Sequence, residues 1–325
     1  MKPYLYTAPD GSTIQYDTEC VTGETVRSLR PLWEEVFYED SPAFTDYYFQ
    51  NKAALNTAFF CRQKETGEII SMVHLTPYEV TLRRQTVPSF YIVGVATKKD
   101  HRHRGLMAHL LKEAFAYGKE MGCPFLFLMP ADPAIYEPFG FSYIYSRPEY
   151  EVPDIMGQEE VYITSFPLKE VSVLCLEEET SSNVLQAVSN FANTTLSSQY
   201  DYYLTRTPDY YRLLLKELKS QNGFIYLYKI DDKIEGYIFY AKEGEKAFVQ
   251  ELLFSEKLRS LMVSKASSYL PKEKPHRKPI IMARNLESSD GKYGLSAASY
   301  PETEKHFPNY VNQLANLKGC INELV

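Results

Sequence analysis

The sequence has few cysteines, no long apolar run and no excess of basic residues. Its five cysteines are scattered over 325 residues without a Cys-x-x-Cys pair, which disfavours both a disulfide framework and a zinc knuckle. No apolar stretch approaches the ~20 residues that a bilayer span requires. The first residues turn at Pro9-Asp10-Gly11 before a signal-peptide core could develop. We therefore expect a protein of the reducing cytoplasm, with no membrane partner.

The charge balance argues against nucleic acid as a partner. Lys and Arg number 35 against 42 Asp and Glu, a net charge of −7, whereas phosphate neutralisation needs clustered basic residues. Hydrophobic residues make up 44% of the chain and aromatic residues 14%, enough to fill sizeable cores. The length predicts about two domains, and the acidic balance is compatible with a small cationic partner.

Helix-like and strand-like patterns follow one another in the same order in the two halves of the chain. The first half predicts an amphipathic helix over 22–40, a shorter helix that begins at the N-cap Ser41, a hairpin over 56–62 and 68–74, a buried strand over 90–97 and a long helix over 104–121. Two short strands, over 141–145 and 150–152, are expected to close this half. The second half predicts the same series: helices over 181–191 and 209–219, a hairpin over 223–230 and 233–240 that turns at Asp231-Asp232, a strand over 247–254, and a helix to about 269. We expect a diverged structural repeat and an α+β fold, with mixed, mostly antiparallel sheets flanked by helices.

Changes in composition predict three segments. Polar residues around Pro153 and at 157–160 mark the first boundary, so that domains are expected over 1–153 and 154–270. Residues 271–279 contain three Pro and five Lys, Arg or His and are interpreted as a linker. The remainder, to residue 325, is expected to be a short C-terminal α+β segment.

One stretch carries most of the chemical information. Residues 93–107 run from a buried strand through a basic loop directly into a helix. Unpaired amides at a helix N-terminus attract anions, and Gly105 would let the backbone approach a phosphate closely. Arg102 and Arg104 would add charge-assisted contacts. Spacing alone leaves a second interpretation open, namely a basic surface loop that precedes an ordinary helix.

Two motifs in this half resemble those of the GNAT N-acetyltransferases. Arg102-His103-Arg104-Gly105-Leu106-Met107 is similar to their pyrophosphate motif, Arg/Gln-x-x-Gly-x-Gly/Ala, although Met107 replaces the usual Gly or Ala. A basic Arg-x-Arg-Gly-Leu-Leu/Met run is usual in the enhanced-intracellular-survival (Eis) branch. Tyr136-Glu137-Pro138-Phe139-Gly140-Phe141 resembles that branch's Tyr-x-x-Phe-Gly-Phe/Tyr element. The resemblance implies tandem GNAT units and a truncated sterol-carrier-like segment over 271–325.

By this resemblance the chain is expected to bind acetyl-CoA. A strand edge would pair with pantetheine and the following loop would bind the pyrophosphate, so the implied cofactor residues are Val95, Ala96, Thr97, Arg102, His103, Arg104, Gly105, Leu106 and Met107. A backbone amide near Val95 would polarise the thioester carbonyl. His101 and His103 have no third ligand nearby in the sequence, so no metal is predicted.

Acyl transfer also needs a proton donor and a place for the amine. A phenol with a pKa near ~10 can protonate a thiolate with a pKa of ~8.5, and Tyr136 stands where the family carries its acid. The resemblance to Eis proteins places substrate carboxylates at Glu39 and Asp40 and gives the Val325 carboxylate an acid/base or orienting role. Glu323 would be a further substrate contact. Solvated helix-end carboxylates and a frayed C-terminal tail are the alternatives.

The expected function is therefore acetyl-CoA-dependent N-acetylation of a primary amine on a small cationic acceptor, by direct attack in a ternary complex. We expect a homo-oligomer of unknown order. A non-catalytic CoA-binding or sensor module remains an alternative, as does an aminoacyl-tRNA-dependent transferase, against which the acidic balance speaks. The second half has no glycine motif after 247–254 and is predicted to bind no CoA.

Overall fold

The computed structural model describes residues 1–243, 246–286 and 319–321. The chain divides into two units, residues 1–144 with 281–286 and residues 145–280 with 319–321. The division falls before the predicted boundary at 153/154, within the strand Ser142–Glu151, which takes the place of the two short strands expected at 141–145 and 150–152. No helix in these ranges is both long enough and apolar enough to cross a bilayer.

The first unit is built on a mostly antiparallel sheet. Its strands in chain order are β1 (Tyr4–Thr7), β2 (Thr13–Thr22), β3 (Thr57–Gln63), β4 (Ile69–Leu82), β5 (Gln85–Thr97), β6 (Phe125–Leu128) and the start of β7 (Ser142–Glu151). The order in the sheet is β1-β2-β3-β4-β5-β6. The first five strands are antiparallel neighbours, whereas β6 is parallel to β5. Residues 282–285 of a later strand add to the free side of β6.

Four α-helices belong to this unit: α1 (Arg30–Val36), α2 (Pro42–Tyr47), α3 (Leu106–Glu120) and α4 (Pro133–Tyr136). The single helix predicted over 22–40 is wrong at its start, where residues 23–29 form a 3-10 helix. Gly23 has a left-handed φ of 60°, and Pro31, which lacks an N–H, lies in the first turn of α1. The predicted cap at Ser41 is confirmed, because its Oγ accepts from Phe44 N at 3.2 Å.

The core of the first unit lies between the sheet and one face of α3. Leu106, Leu110, Leu111 and Ala114 recur at helical spacing and are buried together with apolar residues of β3, β4, β5 and β6. The β1–β2 hairpin and the second hairpin, in which β4 and β5 meet at Arg83 and Arg84, were not predicted. Both turn arginines have positive φ, 46° and 69°.

The second unit follows the same plan. Its elements are α5 (Glu159–Thr164), β8 (Ser172–Leu176), α6 (Ser182–Gln199), β9 (Tyr202–Leu204), α7 (Pro208–Ser220), β10 (Phe224–Ile230), β11 (Lys233–Glu243), β12 (Lys246–Phe254) and α8 (Glu256–Lys265). An antiparallel sheet has the order β12-β11-β10-β8. This order, with two helices between β8 and β10, repeats that of β5-β4-β3-β2 in the first unit and supports the predicted structural repeat.

The segment predicted as a linker over 271–279 is instead the first part of strand β13 (Lys272–Asn285). Its charged side chains and prolines are exposed through Pro279. Water therefore solvates them, and their presence is compatible with a β-strand. Residues 319–320 form a short strand, β14, parallel to β9. Residues 287–318 and 322–325 lie outside the described residues, and with them Glu323, Val325 and most of the segment over 271–325 that was predicted to be sterol-carrier-like.

Candidate active site

Strand β5 extends past the end of its pairing with β6. Phe90 and Tyr91 pair with Leu126 and Phe127, and within the described ranges no further β6 pairing follows, although β5 continues to Thr97. The ladder ends here because β6 itself ends at Leu128. On the β6 side, residues 92–97 therefore pair with no strand in the described ranges, and another extended chain could bind along this open edge.

A β-bulge interrupts β5 within this open edge. The ladder with β4 shifts so that Gly94 and Val95 together face the single residue Val73, and a bulge leaves its extra residue out of the ladder. Gly94 has a φ of 59°. A Cβ on Gly94 would lie 2.5 Å from the Trp33 ring, so the bulge requires glycine both for its conformation and for the packing behind it.

Aromatic and polar side chains fill the space behind the bulge. The indole of Trp33, the only tryptophan in the chain, stacks on Tyr48 at 4.3 Å between centroids and donates from Nε1 to Asp40 Oδ2 at 2.9 Å. The Tyr48 hydroxyl lies 2.9 Å from His74 Nδ1, and both residues are fully buried. Burial lowers the pKa of His74 to about 3, so this imidazole is neutral at physiological pH.

After Thr97 the chain forms a loop that opens into α3. A 3-10 turn over Lys99–His101 leads to two left-handed residues, His103 with φ 62° and Gly105 with φ 78°. The amides of residues 103, 104 and 105 donate to no acceptor in the part of the chain that the structure describes. Such successive amides form an anion-binding concavity, which the dipole of the following helix reinforces.

The two arginines of the loop have different surroundings. The Arg104 side chain is directed inward, donating from Nη2 to Asp100 O at 2.7 Å and from Nη1 to the Tyr16 hydroxyl at 2.9 Å. Arg102 is exposed and donates from Nε to Thr97 O at 3.2 Å. Arg102 can therefore reach an anion in front of the loop, whereas Arg104 maintains the shape of the loop.

Gly105 packs against the N-terminal strand. A Cβ at this position would overlap the Tyr4 hydroxyl, which donates to Arg104 O at 2.7 Å. The sequence predicts that this glycine admits a phosphate, whereas in the structure its Cβ direction faces β1. The alternation of Tyr4 and Tyr6 before the turn at Pro9-Asp10-Gly11 is a hairpin signal that could have revealed this strand.

Helix α4 holds Tyr136 in the hydrophobic cluster that contains Leu106, and Val95 and Met107 pack partly buried against the same cluster. The Tyr136 side chain is 8% exposed, and its hydroxyl has no hydrogen bond to any described residue. Burial raises the pKa of Tyr136 to about 12. The Tyr136 phenol is therefore protonated, and its O–H group donates to no described residue.

The segment after α1 presents two carboxylates in different environments. Asp40 is half-buried, and this burial, more than the nearby Glu39, raises its pKa despite the bond from Trp33. Only Asp40 Oδ2 is bonded to a described residue. Glu39 is exposed, as is the ring of Tyr38. The structure thus connects Asp40 to the bulge through Trp33, whereas Glu39 lacks such a connection.

The loop histidines do not form a metal cluster with other described residues. His101 Nδ1 lies 2.8 Å from the Tyr16 hydroxyl, and His103 is exposed. Among the residues described, those whose ligand atoms could share an ion are Glu159, Cys175 and Glu177 of the second unit. Burial raises the pKa of the Cys175 thiol, which disfavours the thiolate that a metal requires.

The second unit repeats the bulge of the first but not its loop. The β11–β12 ladder shifts at Gln250, leaving one extra residue on β12, as occurs at Gly94 on β5. Strand β12 then passes directly into α8, whose Ser255 Oγ accepts from Leu258 N at 3.1 Å. Behind this bulge, Arg206 Nη2 and Glu251 Oε2 form a buried ion pair at 2.5 Å. A buried charged pair therefore lies next to this bulge, whereas aromatic side chains pack behind the bulge at Gly94.

Comparison with known proteins agrees with this geometry. The sequence family described as "Acetyltransferase (GNAT) domain" matches residues 19–144, so the first unit carries a GNAT acetyltransferase domain. Among curated proteins there is no significant match. The family match confirms the predicted resemblance to GNAT acetyltransferases over residues 19–144.

Solved structures share the fold over most of the chain. A conserved protein of unknown function from Enterococcus faecalis V583, described as a probable N-acyltransferase, is 16% identical over 84% of this chain and 73% of its own, with a TM-score of 0.63. Eis1 from Mycobacterium abscessus is 13% identical over 83% and 73%, with a TM-score of 0.58. A tandem GNAT protein from the clavulanic acid pathway is 11% identical over 84% and 100%, with a TM-score of 0.51. These similarities show the predicted GNAT fold, in a tandem arrangement in the last case.

Proposed function

We propose that the protein is an N-acetyltransferase that uses acetyl-CoA to acetylate a primary amine of a small cationic acceptor. One arrangement carries the proposal: the open edge of β5, with its bulge at Gly94, leads directly into the loop of unpaired amides before α3. An open strand edge followed by an anion site fits an extended amide-containing arm that ends in a diphosphate. Acetyl-CoA has this construction.

Backbone groups would supply most of the binding to this donor. The strand edge around Val95, Ala96 and Thr97 would pair with the pantetheine amides, and the amides of residues 103–107 would bind the diphosphate. Arg102, exposed beside the loop, would add a charged contact. At Gly94 and Gly105 the site therefore depends on the absence of a side chain rather than on side-chain chemistry.

The reaction forms a C–N bond at the acetyl carbon and breaks the C–S bond, leaving a thiolate to be protonated and a nitrogen that must lose a proton. The backbone amide freed at the bulge would stabilise charge on the carbonyl oxygen, and Tyr136 would protonate the sulfur. Because its pKa of about 12 exceeds the ~8.5 of a thiol, donation from the phenol to the sulfur is uphill unless the phenol is reprotonated in the same step. We infer that the proton lost by the nitrogen returns to the phenol oxygen as the sulfur takes the phenol proton.

The acceptor would bind at the segment after α1. Asp40 Oδ1 is not bonded to a described residue and would accept from the ammonium group, which would release one proton to water before the neutral amine attacks, while Asp40 Oδ2 stays hydrogen-bonded to Trp33. Tyr38, 77% exposed, offers a ring face for a cation–π contact. An amine with a second cationic group fits these features and the acidic composition of the chain.

Two measurements test the proposal. Titration calorimetry should detect CoA binding to the full chain, and release of CoA thiol from acetyl-CoA should accelerate with at least one member of a panel of polyamines, aminoglycosides and lysine peptides. Absence of CoA binding at millimolar concentration would overturn the proposal. Binding without thiol release for any amine would favour the sensor alternative.

A further inference from the structure

Strand β1 lies outside the part of the chain that matches the acetyltransferase domain, yet it contacts the proposed diphosphate loop. The match begins at residue 19, whereas β1 covers Tyr4–Thr7. Its side chains alternate, with Tyr4 and Tyr6 partly buried against the core of the first unit and Leu5 and Thr7 exposed. The inward face of this strand therefore consists of two tyrosines.

Tyr4 determines the orientation of one peptide group in the loop. Its hydroxyl donates to Arg104 O at 2.7 Å, and its ring packs on His109 of α3 with centroids 4.9 Å apart. In a trans peptide the carbonyl oxygen and the following N–H point in opposite directions. Because Tyr4 holds the Arg104 carbonyl on the β1 side, the Gly105 amide of the same peptide group points away from β1.

The neighbouring strand holds the same residue by its side chain. Tyr16 lies directly opposite Tyr4 in the β1–β2 ladder, is fully buried, and accepts from Arg104 Nη1 at 2.9 Å. The Arg104 guanidinium also lies 5.4 Å from the centroid of the Tyr6 ring. The hairpin thus restrains both the carbonyl and the side chain of Arg104.

We propose that β1 completes the donor site, with Tyr4 as a positioning residue that aims the Gly105 amide at the diphosphate. This inference rests on the proposed function of the loop. Tyr4 itself does not touch the donor, because it lies on the opposite side of the Arg104–Gly105 peptide group. Loss of its hydroxyl should therefore weaken donor binding without changing the chemical step.

The first test compares Tyr4→Phe with Tyr6→Phe. The two variants each remove one hydroxyl from the inward face of β1, but the Tyr6 hydroxyl has no hydrogen bond to a described residue. Calorimetry with CoA should show the Kd of Tyr4→Phe raised by about three- to tenfold, the change expected for one hydrogen bond. The Kd of Tyr6→Phe should stay within about twofold of the wild type. In assays with an active amine, the KM for acetyl-CoA should rise for Tyr4→Phe with kcat unchanged.

A double variant separates this role from general stabilisation. Gly105→Ala should lose CoA affinity, because its Cβ overlaps the Tyr4 hydroxyl and its φ is left-handed. Adding Tyr4→Phe removes the overlap, so the double variant should bind CoA more tightly than Gly105→Ala alone. Losses that merely add would contradict this coupling.

The outcomes distinguish the two proposals. Failure of the wild-type chain to bind CoA would overturn the proposed function and this inference with it. Wild-type binding of CoA together with an unchanged Kd in Tyr4→Phe would overturn the role of β1 alone. Equal increases in Tyr4→Phe and Tyr6→Phe would also overturn it, because packing rather than the Tyr4 hydrogen bond would then explain the effect.

Discussion

The Trp33 indole lies so close to Gly94 that a Cβ on this glycine would come within 2.5 Å of a ring carbon. The opposite, polar edge of the same indole donates to Asp40 at 2.9 Å. One rigid side chain thus touches both the bulge, where we propose the thioester binds, and the carboxylate that we propose binds the amine. A substitution at Gly94 should therefore shift the Asp40 carboxylate, and a substitution at Asp40 should shift the bulge.

Gly94→Ala should reduce acetyl transfer by about a hundredfold or more, because displacing the bulge by a fraction of an ångström misplaces the reacting carbonyl. CoA affinity should change less, since the diphosphate loop is unaltered. The matched control is Gly67→Ala, which has a similar positive φ of 72° with no atom within 4 Å of its Cβ. Full activity in Gly94→Ala, measured as CoA thiol release, would contradict the placement of the acetyl group.

Asp40→Asn should raise the KM for the amine by about tenfold or more, because a charged hydrogen bond is lost, while the amide oxygen can still accept from Trp33. Burial raises the pKa of Asp40, so amine affinity should be lost as pH falls through a value above that of an exposed aspartate. Glu39→Gln, at an exposed carboxylate, is the control and should change KM by less than about twofold. Equal effects of the two substitutions would argue against Asp40.

Tyr136→Phe should lower kcat by about a hundredfold or more and leave the Kd for CoA unchanged, since the hydroxyl bonds to no described residue. Because burial raises the Tyr136 pKa to about 12, the phenol should stay protonated through pH 10. The rate of thiol release should therefore show no basic limb from this residue. A limb near pH 9 that disappears in Tyr136→Phe would contradict the raised pKa, and unchanged turnover in Tyr136→Phe would contradict the role of the phenol as the acid.

His74 should make the protein less stable in acid. Its pKa is about 3 in the folded chain against ~6.5 in an unfolded one, so the unfolded state binds the extra proton between these values. Stability is therefore fully present above about pH 6.5 and falls toward pH 3, by about 2 kcal/mol at pH 5. Urea unfolding at pH 7.5 and 5 should show this loss in the wild type and in exposed His276→Gln, but not in His74→Gln.

Glu251→Gln should destabilise the protein by about 3–5 kcal/mol, because it removes one charge of the buried ion pair with Arg206. The Tyr237 hydroxyl, which donates to Glu251 Oε1 at 2.5 Å, keeps an acceptor in the amide. Glu170→Gln, which breaks only the exposed pair with Lys265, should cost less than about 1 kcal/mol. Thermal unfolding measures both. Similar melting temperatures for the two variants would contradict a structural role for the buried pair.

The sequence predicted the elements whose signals are local. The apolar spacing of α3, the Ser41 cap and the two-residue turn at Asp231-Asp232 all depend on neighbours within a few positions, and the structure confirms each of them. The Gly94 bulge could not be predicted in this way. Gly94 lies within an uninterrupted β-rich run, and only its register against β4 reveals that it is an extra residue.

The environment of Arg104 was missed for the same reason. Its partners Tyr16 and Tyr4 are 88 and 100 positions away along the chain, so no local pattern indicates that its side chain turns inward. The sequence predicts both arginines as ligands of an anion, whereas in the structure the Arg104 side chain bonds within the loop and to Tyr16. The neutral state of His74 likewise follows from burial among residues of distant elements, which composition does not reveal.

The pairing of β6 has a consequence for synthesis on the ribosome. All four residues of β6 are apolar and buried, and its second neighbour is the stretch at 282–285, which is translated only after the entire second unit. At ordinary elongation rates this edge of β6 remains unpaired for on the order of ten seconds. Until then the nascent chain exposes the unpaired edge of an apolar strand, which can pair with other chains. A fragment ending at residue 144 should therefore precipitate where the full chain does not.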